Sequence, residues 1–534
     1  NGGAASTGST VTITVNPAVA GNSNVTGRVT FGRVPFAAAT IPVPNPGLDY
    51  ANPVQRPSRG VIVNALSAGG GVVLATTVTN DNGDYTLSIA NNTSITIEVA
   101  AQILRTGAAA TWNVRVVDGI GGATYNYTDG VSFNSSAGTG HDISIPTGIN
   151  ASGTATGTRA SGPFAALDTI YQGIQTILGV APSSSFPDLL IDWGSQDDGT
   201  FFESNPPQRI ALLSDLATDT DEFDQHVVAH EFGHYIEHNF SRADNIGGAH
   251  SVGQKLDPRV AFGEGFGYAF AAIVVNDPVA RDSARTNSGF FNIETNPPPT
   301  SVGANPAGNF GCWCSESSVW SILWDLHDSA ADANDNVALG FNPIWQVLIG
   351  EQRTTPAFTT LFSFVSAIKV GRTASEVNAI DALVAAQNVV SSTINAFATT
   401  ETNVPAQLLS ADILPVYSNI TVGGAAVPVR SVNDTGGTYN MLGNRHFLRF
   451  TPNINNVTVT VTTSNAAVDA DPDFVVYRSG AVHRFAESSV VGSETLSFPV
   501  VAGQTYIIDA YECSNGCSSD QGTTGDYTLT ITIN

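Results

Sequence analysis

Residues 230–238 read HEFGHYIEH, and the first five place two histidines and a glutamate at a spacing that suits a metal ion. On a helix with 3.6 residues per turn, positions four apart lie about 40° apart on one face, one turn along the axis. The imidazoles of His230 and His234 could therefore converge on one ion, with Glu231 projecting beside them. This is the H-E-x-x-H arrangement: two neutral nitrogens for zinc, and a carboxylate that takes a proton from the activated water. The competing reading is a surface helix with a histidine stripe, since His226 and His238 continue the same spacing. With 9 histidines and 14 glutamates in 534 residues, chance would supply the central pattern far less than once, so the metal reading is preferred. His226 and His238 are taken as ordinary helix residues.

A catalytic zinc site needs a third protein ligand and an open position. Glu264 stands thirty residues beyond His234, in LDPRVAFGEGFGYAFAAIVV. Asp257 as N-cap and Pro258 at the first helical position start a helix there. Its interior carries Gly263, Gly265 and Gly267, each costing about 0.5–1 kcal/mol relative to alanine. Close approach to the first helix, which has its own Gly233, would offset that cost and set Glu264 against the histidine pair. Glu237 and His250 are rival third ligands. Glu237 lies three residues beyond His234, at the wrong angle, and His250 sits in the glycine-rich loop IGGAHSVGQ as a cleft-lining residue.

H-E-x-x-H followed about thirty residues later by a glutamate on a second helix resembles the gluzincin metallopeptidases, with the thermolysin- and fungalysin-like group nearest. The likeness covers roughly residues 160–400, including RIALLS as an edge strand and the later tryptophan-bearing SSVWSILWDLHD. It implies His230, His234 and Glu264 as zinc ligands, Glu231 as general base, and hydrolysis of peptide bonds. Two positions depart from the pattern. Tyr268 stands where those relatives place an aspartate that orients a zinc histidine, and CWCSES lacks their oxyanion-stabilising histidine. His250, His327 or a tyrosine are the remaining candidates for that role.

Several elements must hold these residues. At 534 residues, two to four domains are expected. Residues 1–22 read as a flexible lead-in, and 23–150 as a β-sandwich with period-2 alternation in VTGRVTFG, RGVIVNAL and SITIEVAAQ. TNDNGDYTLSI there resembles the carboxypeptidase-regulatory or transthyretin-like sandwich. Helical spacing appears in PFAALDTIYQGIQTIL, and again over 221–239, 258–275, 316–327 and 357–370. Asp219 or Thr220 is the expected N-cap of the first of these four. Residues 160–405 thus read as an α+β domain, which the gluzincin resemblance implies to be a zincin-like catalytic domain. From 410 to 534 the pattern is again β, and DADPDFVVYRSG with the closing GDYTLTI resembles the bacterial pre-peptidase C-terminal domain. Removing that block should leave an active catalytic domain.

The net charge of −25, with only Lys255 and Lys369 as lysines, disfavours nucleic acid and anionic membranes. No apolar run is long enough to span a bilayer. Cys513 and Cys517 could staple a short loop, whereas Cys312 and Cys314 could be bridged or free thiols. DSAADANDN (Asp328, Asp332, Asn334, Asp335, Asn336) and DADPD (Asp469, Asp471, Asp473) concentrate hard oxygen donors, which suits calcium or a solvated acidic loop. The expectation is a secreted or cell-surface zinc endopeptidase acting on a protein or peptide, with its oligomeric state open. The rival is a non-catalytic surface adhesin that keeps zinc as a structural element.

Overall fold

A computed structural model describes residues 21–38, 47–69, 71–107, 109–194, 197, 199–284, 287–294, 311–329, 335–405, 408–433, 438–463, 470–518 and 525–534. The architecture combines several β-sheets with helices and is multidomain and sandwich-like. Two compact units emerge: residues up to Phe232 with Arg281–Phe290, and Gly233–Ala280 with the residues from Phe291 onward. The division falls inside one continuous helix.

In the first unit, β1 (Asn22–Arg33), β2 (Val54–Pro57), β5 (Asp84–Ala90) and β9 (Ile143–Ile145) form one sheet. The second is eight-stranded: β3 (Val61–Ser67), β4 (Val73–Val78), β6 (Ser94–Arg105), β7 (Trp112–Val117), β8 (Asn126–Asn134), β10 (Leu189–Trp193), β11 (Phe201–Glu203) and β12 (Arg209–Leu212). Strand β6 alternates buried and part-exposed residues along SITIEVAAQILR, as its period-2 sequence requires. Strand β10 is buried at all five positions, which suits a strand with parallel partners on both sides, β7 and β12. This sheet takes strands from both sides of the junction expected near 150–160. RIALLS is an inner strand, β12, because β11 pairs antiparallel on its far side and is the outermost strand there among the described residues. The expectation of RIALLS as the edge is corrected by that short added strand. Helix α1 (Gly162–Val180) follows β9, with Ala165, Ile170, Ile174 and Ile177 buried.

The periodic segments become α2 (Gln225–Phe240), α3 (Pro258–Val275), α4 (Glu316–His327) and, after α5 (Phe341–Val347), α6 (Leu361–Ile368). No helix among the described residues is long and apolar enough to cross a membrane. Both cysteine pairs are bridged, Cys312–Cys314 and Cys513–Cys517, so the free-thiol alternative for the first pair is excluded.

The C-terminal block packs two sheets around one core. One contains β15 (Tyr417–Asn419), β17 (Arg445–Phe450), β19 (Pro472–Arg478), β20 (Ala481–Ala486) and β22 (Tyr506–Glu512). The other contains β16 (Val427–Ser431), β18 (Asn456–Thr463), β21 (Ser493–Pro499) and β23 (Tyr527–Ile533). Leu448, Val459, Phe474, Ile508 and Ile531 lie in that shared core.

This block is built into the start of α3. Arg259 is fully buried, with its guanidinium 2.8 Å from Asp257 Oδ2 and 2.9 Å from Asp509 Oδ2 on β22. Arg445 meets the same Asp509 oxygen at 3.0 Å. The Arg259 guanidinium also lies 4.6 Å from the ring centres of both Phe358 and Phe447. Leu256, Val260, Ala261 and Met441 form a small buried cluster beside it. These contacts count against the expectation that residues from 410 onward are dispensable: truncation would strip the buried Arg259 of Asp509 and uncover apolar surface on α3.

Replacing Asp509 with alanine costs the fully buried Arg259 one of its two carboxylates and the half-buried Arg445 a carboxylate contact. Breaking one partner of a buried ion pair costs about 3–5 kcal/mol. Chemical denaturation of the full chain should show a loss of this size, and truncation at 410 should abolish soluble expression or folding.

Candidate metal centre

Helix α2 begins later than expected. A short turn over Asp221–Phe223 precedes it, and the Val228 amide donates to the Asp224 carbonyl at 3.1 Å, so Gln225 is the first helical residue. The N-cap expected at Asp219 or Thr220 is thus displaced, and no acid occupies the first turn. Helix α3 starts as its sequence predicts: Pro258 opens it, and Asp257 Oδ1 accepts from the Arg259 amide at 2.9 Å.

The α3 glycines have three different neighbours. A Cβ on Gly233 of α2 would lie 3.1 Å from the Gly267 Cα, so these helices meet almost backbone to backbone. A Cβ on Gly265 would lie 2.4 Å from the Val319 Cβ and 2.6 Å from the Glu316 carbonyl oxygen of α4. A Cβ on Gly263 would meet Asn245 Nδ2 at 2.8 Å. Close approach to α2 accounts for Gly267, while α4 and the loop after α2 account for the other two.

This packing lets Glu264 reach the histidines. His234 Nε2 lies 3.2 Å from Glu264 Oε2. His230, one turn back on α2, joins them, and the three residues each offer a ligand atom within 4.8 Å of the others. His230 and Glu264 are buried and His234 is half-buried. Around zinc, with bond lengths of about 2.0–2.2 Å, tetrahedral donors stand roughly 3–3.5 Å apart. Two imidazoles and one carboxylate are a zinc donor set, and the residues present fit the ion. Glu231 is buried beside them: its Oε2 accepts from the Phe202 amide of β11 at 2.8 Å, and its Oε1 lies 3.9 Å from His230 Nε2.

The rivals fall elsewhere. Glu237 does not join the group; burial, above all, pushes its carboxyl up to about 8. His250 touches Glu264 without joining the group either: its Nε2 lies 3.2 Å from Glu264 Oε2 and its Nδ1 3.4 Å from Glu316 Oε2. Burial opposes its charged form, but the hydrogen bonds and charges of the two glutamates prevail and push it up to about 10. Tyr268 packs edge-on against Phe291 and Trp320, with ring centres 4.9 and 5.2 Å away. His327 ends α4 beside Trp324, at 5.7 Å between rings, and burial lowers its pKa.

Sequence reasoning missed three participants: the Phe202 amide, Asn245, whose Nδ2 donates to Glu264 Oε1 at 2.9 Å, and Glu316 behind His250. No periodicity marks them, because a backbone amide and a loop asparagine carry no spacing signal. Glu316 could be read only as a first-turn acid of α4.

Other acids also converge. Asp471, Asp473 and Glu494 form one group, and Asp219, Asp221, Asp224 and Asp282 another. Asp469, Asp332 and Asn334 of the expected calcium loops lie outside the described residues.

No protein-family model matches the chain, and no curated protein matches it. Solved structures similar to part of it include the pre-peptidase C-terminal domain of a Bacillus anthracis collagenase, at 11% identity and TM-score 0.17. That match covers 22% of this chain and 94% of the other. The periplasmic g-type lysozyme inhibitors PliG of Aeromonas hydrophila and Salmonella Typhimurium also match, at 15% and 11% identity and TM-scores of 0.14 and 0.13. Each match covers 22% of this chain, with 97% and 99% of the respective inhibitors. At these TM-scores the likenesses assign neither fold nor activity.

The glycine contacts set a paired test. Gly265→Ala must displace Val319 or the α4 backbone, an overpacking cost of about 1–3 kcal/mol. Gly179→Ala on α1, where a Cβ meets nothing within 4 Å, should gain about 0.5–1 kcal/mol. Thermal unfolding should move in opposite directions for the two variants.

Proposed function

We propose that this chain is a secreted, zinc-dependent endopeptidase of gluzincin type, with a zincin-like catalytic core built on α2 and α3. The observation that carries the reading is the convergence of His230, His234 and Glu264, with Glu231 adjacent on the same helix. His230 and His234 would hold the ion through ring nitrogens and Glu264 through a carboxylate oxygen. Zinc bound by such a set supplies a Lewis acid and brings the pKa of a water to about 7.

The chain's own residues do the proton work. Glu231 takes the proton of the attacking water at Oε1 and returns it to the leaving amine. The Phe202 amide holds Oε2 and so fixes the carboxylate plane. Because that amide belongs to the edge strand β11, the base is tied to a strand whose outer side suits an extended peptide. This favours a peptide over other hydrolysable substrates.

The alternative is a non-catalytic surface protein with a structural zinc, favoured by the absence of a histidine in CWCSES. Mutants separate the two. Glu231→Gln should keep one zinc per chain while casein hydrolysis falls about 10²–10⁴-fold, the usual contribution of a general base. Glu264→Ala and His230→Ala should lose zinc and activity together. Parent-level digestion by Glu231→Gln would sink the mechanism, and zinc binding without any digestion by the parent would favour the structural alternative.

The same reading includes calcium in the C-terminal block, at Asp471, Asp473 and Glu494. Burial, followed by the charges of neighbouring acids, pushes Asp473 up to about 8, a cost that a divalent cation relieves. A calcium-selective chelator, added with zinc buffered, should lower the melting temperature; an unchanged unfolding curve counts against calcium there.

A further inference from the structure

Glu264 is gripped at both oxygens by the loop joining α2 to α3. Asn245 Nδ2 donates to Oε1 at 2.9 Å, and His250 Nε2 lies 3.2 Å from Oε2, the oxygen that also faces His234. Behind His250 stands Glu316, 1% exposed, 3.4 Å from the other ring nitrogen. The histidine therefore lies between two carboxylates, with Nε2 facing Glu264.

The loop is itself tied down from the C-terminal block. Asn440, fully buried, donates from Nδ2 to the carbonyls of Gly247 at 3.0 Å and Ala249 at 3.2 Å. Thr438 Oγ1 donates to the Ala249 carbonyl at 3.1 Å, and the Tyr439 hydroxyl to the Ile246 carbonyl at 3.4 Å. Three consecutive residues thus hold the loop backbone at Ile246, Gly247 and Ala249.

We propose that Asn245 and His250 are positioning residues that fix the Glu264 carboxylate for metal binding, and that Thr438–Asn440 anchor the loop carrying them. The proposal rests on the zinc reading above. Its physical basis is orientation. A glutamate on a helix has three side-chain torsions to settle before it can face an ion, and hydrogen bonds to both oxygens settle them in advance. Tyr268, four residues after Glu264, packs edge-on against Phe291 and Trp320, whereas Asn245 and His250 of the loop lie against the two Glu264 oxygens. On this proposal His250 braces the third ligand.

The experiment measures zinc affinity by competition with a chromophoric chelator. It uses the full chain and its Asn245→Ala, His250→Ala, His250→Gln, Asn440→Ala and Glu264→Ala variants. Melting temperatures with and without zinc accompany each measurement. Groups that orient a metal ligand typically contribute 10–100-fold in affinity. Asn245→Ala and His250→Ala should weaken zinc by that factor. His250→Gln, which keeps an N–H donor, should recover part of it, and Asn440→Ala should show a smaller loss. Zinc-free melting temperatures of the Asn245 and His250 variants should stay near the parent's while the zinc-induced rise shrinks, a split that a purely structural role would not produce. Unchanged affinity in both Asn245→Ala and His250→Ala overturns the proposal while leaving the zinc site standing. A His250→Ala loss as severe as that of Glu264→Ala overturns it by making His250 a ligand. A parent that binds no zinc removes the zinc reading and this proposal together.

Discussion

The near-contact of two helix backbones at Gly233 and Gly267 is the constraint on which the site depends. Ordinary helix pairs stand 8–10 Å apart because side chains fill the space between them. A glutamate spans only a few bonds, so Glu264 meets His234 at 3.2 Å only if the helices approach closely. Glycine makes that approach sterically possible but weakens each helix, and the lost helical propensity has to be regained from packing. Here the packing comes from three sides of α3: α2 at Gly267, α4 at Gly265 and the inter-helix loop at Gly263.

A helix so rich in glycine needs an anchor, and the buried Arg259 supplies it. Its two carboxylate partners come from its own N-cap and from β22, and two aromatic rings flank the guanidinium. A planar, delocalised cation suits this setting better than an ammonium would, since it pairs in its plane and stacks on its faces. The C-terminal sandwich thereby contributes to the same compact unit as the helix that carries Glu264.

The chain's acidity has a structural counterpart. With only 21 basic residues against 46 acidic ones, several arginines are committed to carboxylates in buried or half-buried pairs. Arg59 meets Asp168, Arg159 meets Glu222, and Arg209 gathers Asp192, Asp197 and Glu203. Carboxylates without such a partner are held high by burial, as with Glu237 and Asp473.

How much of this was legible in advance follows from the range of the interactions. Local periodicity placed α3 and α4 at 258–275 and 316–327 and marked the alternating strands, because helix and strand periods are properties of neighbouring residues. The i, i+4 histidines were legible for the same reason, and Asp257-Pro258 announced its helix through a cap spanning two residues. The start of α2 was misplaced because Asp219–Asp224 offered several equally good caps, and tertiary contacts chose among them. The edge strand β11 was missed because three residues carry too little pattern to declare a strand. The role of His250, the grip of Asn245 and the joining of α3 to β22 through Arg259 and Asp509 could not be read at all. They join residues 14, 19 and 250 positions apart in the chain. At such separations the sequence specifies which groups exist, and only the folded backbone decides which of them meet.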